Sequence, residues 1–230
     1  MKLKLALAAA MLSSLAQAAE PVKTIGVYIE PFYRASAAPS EPRHVAVGKR
    51  YDALLASEKR EDILAVRDFI KAEPKVVTPM AMMALATRLY EVGERDEAVF
   101  WFYAAKDRML ILMEVAPPNS PQIAQAADAV GAFSRLAGPV INGYAFCDLK
   151  NQQAIRAAAL DWVAANPYEV MFMAQVNARS GDRAALAAAG LKIARDNAAK
   201  ERGYFEDPAN RDKFYAARKQ NEADAKYCWR

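Results

Sequence analysis

A single histidine, His44, is all the imidazole that this 230-residue chain contains. A Ser-His-Asp triad would have to use it. It stands in the proline-flanked stretch "RASAAPSEPRHVA" (34–46), and no GxSxG elbow accompanies any serine. Phospholipase D-type chemistry needs more than one histidine per active site and is excluded on the same count. One histidine and two distant cysteines also exclude the common zinc sites, which gather three or four His or Cys ligands. No glycine-rich phosphate loop is present. These shortages leave no catalytic, metal-binding or cofactor-binding residue to name, and the chain is expected not to be an enzyme. Glycine is scarce too, at nine residues, and much of the 54% hydrophobic content is alanine; that composition favours packed helices.

The two cysteines, Cys147 and Cys228, do not form a CxxC pair. In an oxidising compartment the expectation is one structural disulfide that pins the C-terminal segment to the domain. The compartment follows from the N-terminus, "MKLKLALAAAMLSSLAQAAEP". Lys2 and Lys4 form a basic start, and Leu5 to Leu15 is an apolar run too short to span a bilayer. Ala16-Gln17-Ala18 has the small-x-small form of a cleavage site. The reading is a signal peptide over 1–18, a mature start at Ala19 and a bacterial periplasmic product. No cysteine near the cut provides a lipid anchor, and no later stretch is apolar enough for a transmembrane helix. Loss of Lys2 and Lys4 lowers the formal charge from +4 to +2, so neither charge nor compartment favours nucleic acid.

Along the mature chain, "KTIGVYIEPFY" (23–33) alternates loosely and predicts one short strand or an extended arm. Residues 34–46 read as linker, giving an arm and linker over 19–46 and one helical domain over 47–230. A helix is expected from Ser57 to Ala72, with Ile63, Val66, Phe69 and Ile70 as its stripe. Thr78 and Pro79 form a cap and first turn for the next, whose Met82, Leu85, Ala86 and Leu89 share a face; Gly93 supplies its left-handed stop. A helix from Asp96 carries Ala98, Trp101, Phe102, Ala105, Met109 and Leu112. Ser120-Pro121 starts another, and Gly138-Pro139 is expected to stop it, with a short helical piece near 140–147. Further helices are expected up to Ala165, from Asn166-Pro167 through "YEVMFMAQVNARS", from Gly181-Asp182 to about Arg202, and from Pro208 to Lys226.

Several clusters have both a chemical and a structural reading. "MAMM" (80–83) and "MFM" (171–173) carry thioethers, which hold Cu(I) in some periplasmic sites; methionine is also an ordinary core filler. Glu91, Glu94, Asp96 and Glu97 offer a carboxylate pair for acid-base work, or simply support the start of a helix. Phe100, Trp101, Phe102 and Tyr103 stand in a row, and successive residues turn by roughly 100° on a helix. Four in a row cover more of the circumference than one buried face needs. Phe100 and Tyr103 lie off the main stripe, and Arg95 and Arg108 stand near the ends of the same helix. These four residues are the expected partner-binding patch.

Residues 82–105 resemble a tetratricopeptide or Sel1-like repeat. Ala86 and Ala98 stand where small residues let two antiparallel helices approach, Gly93 matches the turn glycine, and Tyr90 and Phe102 match the large fillers. Trp101, Tyr103, Ala104 and Ala105 echo the Trp-Tyr-Ala-Ala ending of Sel1-like units. A second unit over 158–182 is less complete, with no fixed period. The string of helical hairpins joined by short turns predicts an all-α fold, an irregular α-solenoid or an irregular helical bundle, with the 23–33 stretch as a short extended N-terminal arm; the resemblance implies that the antiparallel hairpins are tetratricopeptide- or Sel1-like. The wider stretch from Val66 through "DEAVFWFYAAKDR" to "GPVINGYAFCD" and "ALDWVAANP" resembles exported bacterial proteins that include immunity proteins against phospholipase toxins delivered by type VI secretion. That resemblance implies a binding role: neutralising a secreted lipolytic toxin by covering its active site. The alternatives are a periplasmic scaffold or envelope-assembly factor, and a small-molecule or copper binder.

Overall fold

The structure is a computed structural model that describes residues 19–38, 41–117 and 120–229. The expected signal peptide, 1–18, lies outside the described residues. The fold is all-α apart from one small sheet near its N-terminus.

That sheet consists of β1 (Tyr28–Ile29), β2 (Tyr33–Arg34) and β3 (His44–Val45), antiparallel in the order β1-β2-β3. Ile29 pairs with Tyr33 and Tyr33 with Val45, and all three are buried; the alternate positions Tyr28, Arg34 and His44 face solvent. The sheet is therefore one-sided, with its apolar row turned to the helices. Ile25, Val27, Ala35 and Val47 join the same continuous core. This corrects the expectation of a single strand or extended arm followed by a linker: residues 23–33 supply β1 and the start of β2, and residues 34–46 supply the rest of β2, all of β3 and the buried Ala35 and Val45.

Nine helices follow among the described residues, the first being α1 (Asp52–Ala56). α2 (Arg60–Ala72) buries Ile63, Val66 and Ile70. α3 (Pro79–Glu91) is capped by Thr78, whose hydroxyl accepts from the Ala81 amide at 3.1 Å. It ends at Gly93, where φ is +90°, a conformation glycine adopts without the cost of a Cβ. α4 (Arg95–Val115) is the axis of the molecule: α3, α5, α6 and α7 all pack on it. A helix covered on so many sides has no polar face to show.

α5 (Pro121–Ala145) starts at Ser120 as expected but runs through Gly138-Pro139 without stopping. Proline removes the bond to the carbonyl four residues back. Pro139 and Arg135 both lie on the exposed side of α5, where water can solvate the freed carbonyl. α6 (Leu149–Ala165) is capped by Asp148. The stretch after Asn166-Pro167 is not the expected helix; only a 3₁₀ turn, Glu169–Phe172, forms there. α7 (Arg183–Glu206) opens on Asp182, whose carboxylate accepts from the Ala184 and Ala185 amides at 3.3 and 3.0 Å. The C-terminal segment divides into α8 (Pro208–Gln220) and α9 (Ala223–Tyr227).

The two ends of the described chain are tied together. A disulfide joins Cys147 to Cys228, with Cα atoms 5.5 Å apart. The Val22 amide donates to the Lys226 carbonyl at 2.9 Å, and the Tyr90 hydroxyl donates to the Val22 carbonyl at 2.9 Å. No helix among the described residues is long and apolar enough to cross a membrane.

Candidate binding groove

The four residues expected to form a partner-binding patch are not brought together on a surface. Tyr103 is buried, donating its hydroxyl proton to Asn142 Oδ1 at 3.1 Å and accepting from Gln152 Nε2 at 3.0 Å. Arg108 is only 1% exposed and donates to the carbonyls of Pro74, Val77 and Asn166 at 2.7, 3.0 and 2.9 Å. Phe100 is half-buried, edge-on to Trp101 and Trp162. Arg95 is also half-buried; its guanidinium lies 4.0 Å from the Trp229 ring centre and donates to the Trp229 carbonyl at 2.6 Å. The patch fails because α4 is an interior helix. Positions off its main stripe meet α5, α6 and α7 instead of solvent.

What the packing does create is a groove. α6 and α7 run antiparallel across α4, and two adjoining cavities lie between them. Gly190 sets the closeness of α7: a Cβ there would lie 2.9 Å from the Ile111 Cα. Near the α6 C-terminus the groove is apolar, a cavity of about 260 Å³ lined chiefly by Ile111, Val163, Ala164, Met171, Ala187 and Leu191, with Arg108 at its floor. Farther along it is charged, about 220 Å³, with Arg156, Asp161, Arg195, Glu201 and Arg202. One face of α7, from Ala184 through Leu191 and Arg195 to Arg202, lines the whole length at helical spacing.

A buried polar cluster supports the charged end. Arg156 holds Asp107 through both guanidinium nitrogens, with Nη2–Oδ1 at 2.9 Å. Burial pushes the Asp107 carboxyl above its ordinary value, and Arg156 pulls part of that shift back. Gln152 donates to Glu201 Oε1 at 2.7 Å as well as to Tyr103. Burial raises the Tyr103 hydroxyl to about 12. Sequence reasoning missed this cluster, because Asp107, Gln152 and Arg156 are ordinary helix-surface residue types with no local pattern.

The other candidate groups are dispersed. His44 is exposed, its Nε2 against the Pro31 carbonyl at 2.8 Å. Met82 and Met83 fill the core, Met171 lines the groove and Met173 is exposed. Glu91 binds Arg43, Arg88 and the Ile25 amide, Glu94 pairs with Arg60, and Glu97 pairs with Arg67 and Lys71. Asp96 accepts from Tyr144 and Asn151 at 2.9 and 3.1 Å. Among the described residues no group of three or more His, Cys, Asp or Glu is placed to hold a metal ion.

Over 213 residues the chain is 34% identical to a protein of Haemophilus influenzae described as an uncharacterized protein, covering 91% of this chain and 81% of that one. The chain belongs to that protein's family. A match of this length includes α3 to α7 wherever it begins, so the groove falls within it. No family model matches the chain, and no solved structure matches it.

Proposed function

We propose that the protein is an exported binding protein that holds another protein on its α6–α7 face. The groove itself is the observation that carries this reading: an apolar end continues into a charged stretch. Phe172, 44% exposed, lines the apolar end, and the equally exposed Met173 follows it in the chain. Protein interfaces join apolar anchors to a polar rim in this way. The disulfide fits an oxidising compartment, as the signal-like N-terminus does.

The resemblance to immunity proteins narrows the partner to a phospholipase toxin, blocked by occlusion of its active site; the tetratricopeptide-like α3–α4 hairpin would then be framework and the groove the contact. The proposal assigns the chain no catalytic step. The test is co-expression with the lipolytic toxin encoded nearest to it in its host. Rescue of growth and recovery of a stable complex are expected, with both lost in a Phe172→Asp, Met173→Asp double variant that keeps its thermal stability. Recovery of envelope proteins and no toxin would favour the scaffold alternative.

A further inference from the structure

Arg218 on α8 is buried, and its guanidinium lies against the Cys147–Cys228 disulfide. Its Nη2 donates to Cys228 Sγ at 3.3 Å and reaches Cys147 Sγ at 3.6 Å. Two acceptors hold it there: the Gly143 carbonyl, 3.2 Å from Nη1, and Asp224 Oδ1, 3.1 and 2.7 Å from Nε and Nη2. A disulfide sulfur is a weak hydrogen-bond acceptor, so a guanidinium taken from water gains little from it while the S–S bond is intact. A thiolate in the same place would accept a charge-assisted bond. The cation is therefore matched better to the cleaved pair than to the intact one.

The two cysteines differ in access and in charge. Cys147, just past the end of α5, is exposed, and Cys228 is half-buried. Cys228 has the closer guanidinium contact, and Asp224 Oδ1, 3.5 Å from its Sγ, is an opposing charge. The Asp224 side chain is 73% exposed and is screened by water, whereas that of Arg218 is 8% exposed.

We propose that Cys147–Cys228 is a thiol-exchange site, cleaved in the folded protein by a dithiol reductant, with Arg218 stabilising the leaving thiolate. A thiolate of the reductant attacks Cys147 Sγ, and the S–S electron pair leaves with Cys228 Sγ beside Arg218. The reductant's second thiol, as thiolate, then attacks the reductant's own sulfur in the mixed disulfide and releases Cys147. The chain gains two electrons and two protons, and the dithiol becomes a disulfide. Cleavage removes the covalent tie between α5 and the C-terminal segment. That segment carries the Lys226 carbonyl, which holds Val22, and the Trp229 ring, which stacks on Arg95. None of these residues lines the α6–α7 groove, so the site is separate from the partner-binding reading.

The test follows reduction of the oxidised, exported chain by dithiothreitol at neutral pH without denaturant, read by alkylation and intact mass while circular dichroism reports the fold. Reduction of the folded chain is expected. Arg218→Met should slow it roughly threefold or more, because the leaving thiolate loses its cation. Asp224→Asn, an exposed change that keeps an acceptor for Arg218, should speed it. Mere loosening of the clamp would instead speed both. Should Arg218→Met fail to fold, Asp224→Asn at an unchanged melting temperature decides. Resistance to dithiothreitol until the chain unfolds, reduction of folded Arg218→Met as fast as the parent, or reduction of Asp224→Asn no faster than the parent would each overturn the assignment.

Discussion

α7 contains two glycines that differ only in what surrounds them, and they measure how tightly the groove is built. At Gly203 a Cβ would meet nothing within 4 Å. At Gly190 it would lie 2.9 Å from the Ile111 Cα and 3.2 Å from both Cβ and Cγ of Glu114. Alanine gains about 0.5–1 kcal/mol over glycine within a helix, and Gly203→Ala should realise that gain. Gly190→Ala collects the same propensity term but forces α7 off α4. The Glu114 side chain can turn aside; the Ile111 Cα is helix backbone and cannot. Overpacking of this kind costs about 1–3 kcal/mol. The two variants should therefore differ by about 1–3 kcal/mol, with Gly203→Ala more stable than the parent and Gly190→Ala equal to it or less stable. Guanidinium unfolding of all three proteins, compared at constant slope, reads the difference. Equal stabilisation by both substitutions would mean that α7 does not press on α4, and the groove geometry would fall with that contact.

Tyr103→Ala is expected to destabilise by about 3–5 kcal/mol in thermal or chemical unfolding, as for other large buried aromatics; a surface-like loss under 0.5 kcal/mol would return Tyr103 to the exterior. The same residue has a pH signature. Its folded pKa of about 12 exceeds the ordinary 10.0, so the folded state keeps the proton more tightly. Its contribution is complete below pH 10 and is lost as pH rises toward 12, by about 1.4 kcal/mol per unit. Tyr103→Phe should flatten that slope, and an unchanged slope would contradict the burial argument. Reducing the Cys147–Cys228 disulfide releases a loop of 81 residues, and the chain-entropy relation gives a loss of up to about 4.5 kcal/mol. A melting temperature unaffected by reductant, with both thiols shown to be free by alkylation, would refute the clamp.

The local signals in the sequence translated well where one or two residues decide the geometry. Thr78-Pro79, Gly93, Ser120-Pro121 and Asp182 mark element ends in the structure as they do in the sequence. The failures share a cause: the deciding partner is distant in the chain. Pro139 stays helical because its freed carbonyl is on the solvent side of α5, which no local pattern reveals. The two-residue strands are too short to alternate visibly, and Ile29, Tyr33 and Val45 declare their common face only once paired. The aromatic row was legible as an excess of apolar surface but not as an interior helix, since that depends on α5, α6 and α7 all reaching α4. The groove was least legible of all. Its lining comes from three helices and the 3₁₀ segment after α6, and small alanine side chains form much of it.

The most direct test places a photo-crosslinking residue at Met173, which follows groove-lining Phe172 in the chain, and at Leu136 on α5. These side chains are similarly exposed, at 44% and 42%. On irradiation in the native host, position 173 should yield a discrete protein adduct that position 136 does not. No adduct at 173, or the same adduct from both positions, would contradict partner binding on the α6–α7 face.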